Sequence, residues 1–515
     1  MPSALDAPTL TGTALSTSSV LAQATPALTI LWHPDPSRVG AMFSFADLRQ
    51  GRTLSLSRNS PEFPLFTDAP APLADPFLSR QPCLDIAILS RTIRLTPLAH
   101  RQPIALDGHP LLAPVALSQT DVAASPIITF GRRIALCLHY AHQPPQSVSD
   151  LGLLGHSDAI NAVRKSILSV ADLDIPVLIR GETGTGKELT AAAIVKVGLR
   201  AHKPFVAVNI GALPQQLAAA EIFGHAKGAF TGATGARPGY FLEADGGTLL
   251  LDEIGLATSE VQTALLRLLE TGEVRPIGAR TSTRVNVRIL AATDSLIDST
   301  LAAGGFSQPL FHRLSSVQIS LPPLRERRQD IGLLFLHFLR ETLAKTHDLE
   351  KLQTPPEDAR PWLSATDLAS LAMAPWPGNV RQLRNCAIQL AVSNRGAPLA
   401  RLPQSFVETM AAEPAQPSSS QPSTPEPSPQ RIPHAKLVDA LARHDFQPAR
   451  AARALRVSRT TIYEHIRRDS TLGLLTRLTD DQLATELKNC DGNIRDLAKR
   501  LRVSYRALQL RLSKS

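Results

Sequence analysis

The stretch Ile175-Pro176-Val177-Leu178-Ile179 runs into Gly181-Glu182-Thr183-Gly184-Thr185-Gly186-Lys187-Glu188 and then into Leu189-Thr190-Ala191-Ala192-Ala193-Ile194. An apolar run, a glycine loop and a helix-compatible segment in that order restrict this part of the chain to an α/β unit, in which a buried strand feeds a helix N-terminus. The glycines let backbone N–H groups converge on phosphate oxygens, and Lys187 is placed to reach the outer phosphates. Gly181, Glu182, Thr183, Gly184, Thr185, Gly186, Lys187 and Glu188 are therefore the candidate P-loop. Glu188 stands where the general motif carries a Ser or Thr that binds magnesium.

Downstream, Gly246-Gly247-Thr248-Leu249-Leu250-Leu251 is a buried-strand run that ends in two carboxylates, Asp252 and Glu253. It looks like a Walker B element, with Asp252 expected to hold Mg²⁺ through water and Glu253 to polarise the attacking water on ATP. Between the two motifs lies Gly228-Ala229-Phe230-Thr231-Gly232-Ala233. Flanking glycines free the backbone, and a bare Phe at the apex is no way to build a packed core.

With Glu221-Ile222-Phe223-Gly224-His225-Ala226-Lys227 before it, this loop resembles the sigma-54-contacting loop of bacterial enhancer-binding activators, which are AAA+ ATPases. The resemblance spans roughly 151–405. It implies that the loop couples ATP hydrolysis to remodelling of the sigma-54 RNA polymerase holoenzyme. It also implies roles for single residues. Glu188 agrees with the family. Asn209 matches the residue that restrains the catalytic Glu, and Ile289-Leu290-Ala291-Ala292-Thr293-Asp294 resembles the sensor I strand, with Asp294 where the family more often has Asn. Arg313 matches an arginine supplied to the neighbouring subunit's ATP, whereas Ser307 occupies the place of a second, which implies slower turnover or altered assembly. Arg381, in Trp376-Pro377-Gly378-Asn379-Val380-Arg381-Gln382-Leu383, resembles sensor II of the lid. A site completed by the next subunit implies a head-to-tail ring, expected to be a hexamer.

At 515 residues the chain has room for three or four domains. Its four cysteines, at 83, 137, 386 and 490, form no CxxC pair, so a disulfide framework or cysteine zinc site is not suggested. The first 37 residues carry no Lys or Arg and no apolar run reaches membrane-spanning length, so a cytoplasmic protein without a membrane partner is expected. Residues 1–26 read as a disordered tail, and 406–430 as a linker, with six prolines among Ser, Gln and Thr between Glu413 and Gln430.

In the block 27–142, the runs Leu28–Leu31, Ile86–Leu89, Thr92–Leu95 and Ile134–Leu138 are separated by Pro, Gly and Asp, which argues an all-β sandwich. Leu56-Ser57-Arg58, Asp75-Pro76-Phe77-Leu78-Ser79-Arg80 and Leu106-Asp107-Gly108 fall in an order that resembles a forkhead-associated (FHA) domain. That resemblance implies a phosphothreonine partner read by Arg58, Ser79 and Arg80. Gln81-Pro82 departs from the family, which usually has a His two residues after the Ser, and no counterpart of its recognition Asn is found.

The net charge of +9 is located in residues 431–515, which hold 18 Lys and Arg against 9 Asp and Glu. This block repeats at an offset of 46: Leu455-Arg456-Val457-Ser458 returns as Leu501-Arg502-Val503-Ser504, and Ile462 and Ile466 as Leu508 and Leu512. Each unit resembles a Fis-type helix-turn-helix, one copy of which is usual in the activator family. Arg459, Thr460, Thr461, Tyr463 and His465 in the first unit, and Tyr505, Arg506, Gln509 and Arg511 in the second, are the candidate contacts to double-stranded DNA. Both units could read DNA, or one could mainly dimerise.

The expectation is a multidomain chain: an FHA-like β-sandwich at 27–142, an α/β AAA+ P-loop domain with helical lid at 151–405, and an all-α tandem helix-turn-helix region at 431–515. Two other readings stay open: a repressor of the same family without sigma coupling, and an AAA+ remodeller outside transcription.

Overall fold

The computed structural model describes residues 24–46, 53–64, 69–89, 92–98, 102–142, 149–230, 233–294, 297–354 and 360–404, with the single positions 406, 497 and 508. The chain divides into two compact units, Met1–Pro414 and Ala415–Ser515. Nearly all of the C-terminal block, with its nine proposed DNA contacts, lies outside the described residues, as do Thr231 and Gly232.

The β-rich region begins with β1 (Thr25–Trp32), two residues inside the stretch read as a tail. It continues through β2 (Met42–Ser44), β3 (Thr53–Leu56), β4 (Leu84–Ile88), β5 (Thr92–Pro97), β6 (Ile104–Leu106), β7 (His109–Pro110), β8 (Val115–Ser118), β9 (Ile127–Phe130) and β10 (Ile134–Ala141). One sheet runs β2-β1-β10-β9-β6-β7 and the other β3-β4-β5-β8, and all their pairings are antiparallel. Alternation sends Leu28, Ile30, Leu136 and Leu138 of one sheet, and Leu54, Leu56, Ile86 and Leu95 of the other, into one core. A 3-10 turn at Pro36–Arg38 and the short α-helix Gln119–Ala123, capped by Ser118, interrupt the strand order.

In β1 and β10 the opposite face is also buried. Leu31, Trp32 and Cys137 pack into a second core with Leu334, Phe335, Leu368 and Leu383, which belong to helices farther along the chain. These are Ile331–Thr346, Ala365–Met373 and Asn379–Ser393, the helical lid. A Cβ at Gly332 would lie 2.1 Å from the Leu31 carbonyl oxygen, so only glycine lets the first lid helix approach β1 this closely. Trp32 Nε1 donates to the Leu363 carbonyl at 3.1 Å, and Ala365 N to the Arg132 carbonyl at 2.8 Å.

The central sheet is parallel, formed by β11 (Val177–Arg180), β12 (Phe205–Asn209), β13 (Thr248–Asp252), β16 (Arg288–Thr293) and β17 (Val317–Ser320) in the order β12-β13-β16-β11-β17. A two-stranded ribbon, β14 (Glu273–Val274) with β15 (Thr283–Arg284), stands apart. Successive residues face opposite sides: Leu178, Leu249, Leu251 and Ile289 enter one core, while Val177, Ile179, Leu250 and Leu290 enter another against helices Asp158–Val170 and Lys187–Val197. Apolar runs without alternation in sequence are what burial on both faces requires. Among the described residues no helix is long and apolar enough to cross a membrane.

Candidate functional site

The P-loop leaves β11 at Gly181 and enters the helix at Lys187, with Gly184 at φ 79° and Gly186 at φ 110°. Both are in the left-handed region that favours glycine. Lys187 Nζ donates to the Gly181 carbonyl at 2.8 Å and to that of Glu182 at 3.4 Å. Burial pushes its ammonium below the ordinary lysine range, opposed by the fields of Asp252, Asp294 and Glu253 and reinforced by that of Arg381. One lysine thus senses three carboxylates and one guanidinium drawn from separate segments of the sequence.

Asp252 ends β13 and accepts from Asn209 Nδ2 at 3.3 Å across the neighbouring strand. Glu253 follows at φ 55°, ψ 42°, a left-handed conformation uncommon for a residue with a side chain. A Cβ built on Gly211 would sit 2.2 Å from Glu253 Oε2 and 3.2 Å from Asn209 Oδ1, so these two side chains close on the bare backbone of Gly211. Gly211 escaped the sequence reading; its position two residues after Asn209 was the available signal. Asp294 lies just beyond β16 and Glu188 on the first turn of the P-loop helix, both exposed.

The lid touches the loop directly. A Cβ at Gly184 would lie 2.3 Å from the Gly378 carbonyl oxygen, and Arg381 N donates to the Gly184 carbonyl at 3.3 Å. Asn379, fully buried, donates from Nδ2 to Glu182 Oε2 and to the Thr183 carbonyl, both at 3.1 Å, while its Oδ1 accepts from Leu324 N at 2.8 Å. Arg325 grips Glu182 with two bonds of 2.9 and 2.7 Å, and this contact is the main reason the Glu182 carboxyl is held below its usual range. Arg381 is legible from its motif whereas the roles of Asn379 and Arg325 are not, because a contact made within one subunit between segments this far apart has no local signature.

Arg313, in the last turn of helix Gln308–Leu314, pairs with Glu270 at 3.1 Å, both about half exposed. Ser307 caps the same helix, its hydroxyl accepting from Leu310 N at 3.4 Å. The apolar-tipped loop leaves the body at His225, bridged to Arg237 and Ile277. Gly228 N donates to the Ala233 carbonyl at 2.9 Å, Ala229 lies against Gly278, and exposed Phe230 leans on the His225 ring at 5.0 Å. In the sandwich, Arg58 donates to the Leu78 carbonyl at 2.9 Å and to that of Pro76, so two of its nitrogens are engaged by the 76–79 turn. Ser79 accepts from Gln81 N at 3.1 Å and Arg80 is exposed.

Residues 153–320 match the sigma-54 interaction domain, and residues 325–419 match the AAA+ ATPase lid domain. The chain carries a sigma-54 interaction domain. The chain is similar to the DNA-binding transcriptional regulator NtrC of Azospirillum brasilense, 44% identical over 241 residues that cover 47% of this chain and 48% of the relative. It is also similar to the nitric oxide reductase transcription regulator NorR2 of Cupriavidus necator, at 44% over 252 residues, covering 48% of this chain and 46% of the relative. The chain spans about half the length of the curated relatives it matches. NtrX from Brucella abortus in complex with ATP overlaps 63% of this chain and 71% of its own at 29% identity, with a TM-score of 0.44.

Proposed function

We propose that this chain is a sigma-54-dependent transcription activator, whose subunits form a hexameric ring and couple ATP hydrolysis to the opening of promoters held by sigma-54 RNA polymerase. The observation that carries this reading is the convergence of Asp252, Glu253, Asp294 and Arg381 on Lys187, in a domain whose exposed Phe230 loop is built between the same two motifs. Left-handed Gly186, with nothing within 4 Å of where a Cβ would stand, leaves room for phosphate at the N-terminus of the 187–197 helix, so the residues present fit ATP. Mg²⁺ would be held by Asp252 through water. The nucleotide supplies a transferable phosphoryl group. Lys187 and the loop N–H groups bind it, Glu253 orients water, Asn209 restrains the carboxylates, and Arg313 serves the neighbour once it leaves Glu270.

In this reading the tandem units in 431–515 hold upstream DNA, the protein acts in the cytoplasm, and the sandwich is an FHA-like regulatory module. Its two antiparallel sheets over one core support that likeness, while the engaged nitrogens of Arg58 leave only part of its fork for phosphothreonine.

The deciding experiment measures ATP hydrolysis and open-complex formation with purified sigma-54 polymerase. The full chain is expected to do both, and Thr231→Ala to hydrolyse ATP while forming no open complex. Hydrolysis without open complexes by the unaltered chain would overturn the coupling.

A further inference from the structure

Where the sandwich meets the lid, a cleft of about 350 Å³ is lined from one side by Arg38 and its neighbours and from the other by Gln353 and Thr354. The charged groups around it are satisfied in turn, with one exception. His33 donates from Nε2 to the Leu73 carbonyl at 2.8 Å and accepts the Asp35 N–H on Nδ1 at 3.0 Å. Both its nitrogens are engaged, so it is a wall. Asp75 accepts from Arg133 Nε and from Phe77 N, both at 2.8 Å, and the Arg133 guanidinium lies 4.6 Å from the Phe77 ring centroid. Asp35 accepts from Ser37 N and Oγ at 2.9 and 2.7 Å.

Arg38 is the exception. It is 8% exposed, its Nη2 donates to the Ala71 carbonyl at 2.5 Å, and its Nε has no hydrogen-bond partner. Among the described residues it forms no ion pair, and the Asp35 carboxylate on the same wall acts on it only through its field, being hydrogen-bonded to Ser37 instead. Buried Arg164 shows the usual remedy, with the carbonyls of Asp150, Leu153 and Gly155 and the Asn161 side chain around its guanidinium. A guanidinium does not shed its proton, so a buried one facing a cavity with a single backbone acceptor calls for an anionic acceptor in hydrogen-bonding contact.

We propose that this cleft is a binding site for a small organic carboxylate, its carboxylate on Arg38, its apolar body against Pro34, Pro36 and Leu73, and its far end at Gln353 and Thr354. Thr354 N donates to the Pro34 carbonyl at 3.4 Å, so a ligand here bridges the sandwich and the lid. The lid reaches the P-loop through Asn379, and occupancy would therefore be felt at Lys187. That last consequence rests on the nucleotide-site reading, whereas binding itself does not.

The test is calorimetric titration of the full chain, without nucleotide, with sodium acetate, benzoate and succinate, and with inorganic phosphate as the contrasting oxyanion. At least one carboxylate is expected to bind one per chain and more tightly than phosphate. Arg38→Gln should weaken it by about tenfold or more. If that variant fails to fold, Arg38→Lys, which keeps the charge and loses the fork, and Gln353→Ala should each weaken it at least threefold, on the order of 0.6 kcal/mol. No carboxylate binding up to about 20 mM, phosphate binding as tightly, or variants that bind unchanged would each overturn the proposal.

Discussion

Glu253 is held by a residue that has no side chain. Its carboxylate and the Asn209 amide oxygen both crowd Gly211, where a Cβ would lie 2.2 Å from Oε2. Gly211→Ala is therefore expected to push the carboxylate off its seat while leaving the P-loop intact. A displacement near 1 Å at a water-orienting group can lower the rate about 100-fold. Steady-state hydrolysis should fall by about 10- to 100-fold with nucleotide affinity changed less than about threefold. Equal losses in both would mean that Gly211 supports the loop and not Glu253.

At the scale of elements, the lid and the P-loop are joined by Asn379 and by the Glu182–Arg325 pair. The two joints differ in kind. Arg325 and Glu182 have side chains 43% and 29% exposed, and solvent screening leaves such a pair little net stability. Asn379 is fully buried at φ 50° with three bonds, so its removal strands the Leu324 N–H and the Thr183 carbonyl. Asn379→Ala should destabilise the first cooperative transition in urea by about 2–4 kcal/mol and weaken nucleotide binding. Arg325→Ala should change stability by less than about 1 kcal/mol. If the two variants proved alike, the assignment of the buried amide as the principal latch would be wrong.

For the whole molecule, the sandwich is part of the lid's core and not an appendage. Gly332→Ala forces its Cβ into the Leu31 carbonyl oxygen, and neither backbone can yield without parting the helix from β1. A loss of about 1–3 kcal/mol is expected, read as a lower thermal midpoint. The same region confers a pH response. Burial holds the imidazoles of His33, His139 and His156 below their ordinary value of 6.5, opposed by the Leu73 carbonyl and Asp75 at His33, by the Tyr140 carbonyl and Asp158 at His139, and by Asp330 at His156. The folded protein keeps them neutral, whereas the unfolded chain takes up protons as pH falls through 6.5. Stability is thus complete above that value and declines below it, so the midpoint should drop between about pH 7.5 and about pH 5.5. A midpoint that rose over this interval would contradict neutral buried histidines.

How much of this was legible in the sequence follows from the range of the forces involved. The P-loop, the Asp252-Glu253 strand end and the strands of the sandwich are local patterns, because glycine placement and apolar runs act within a few residues. β1 and β10 could be read as strands, yet nothing local said that their second face is covered by helices from a distant part of the chain. Gly211, Asn379, Arg325 and Gly332 acquire their roles from groups brought near by folding. The sequence by itself determined which segments become strand, loop and helix and where phosphate chemistry could sit. Only tertiary structure decided that Glu253 rests on Gly211 and that the sandwich closes on the lid, since both depend on close contacts between surfaces distant along the chain.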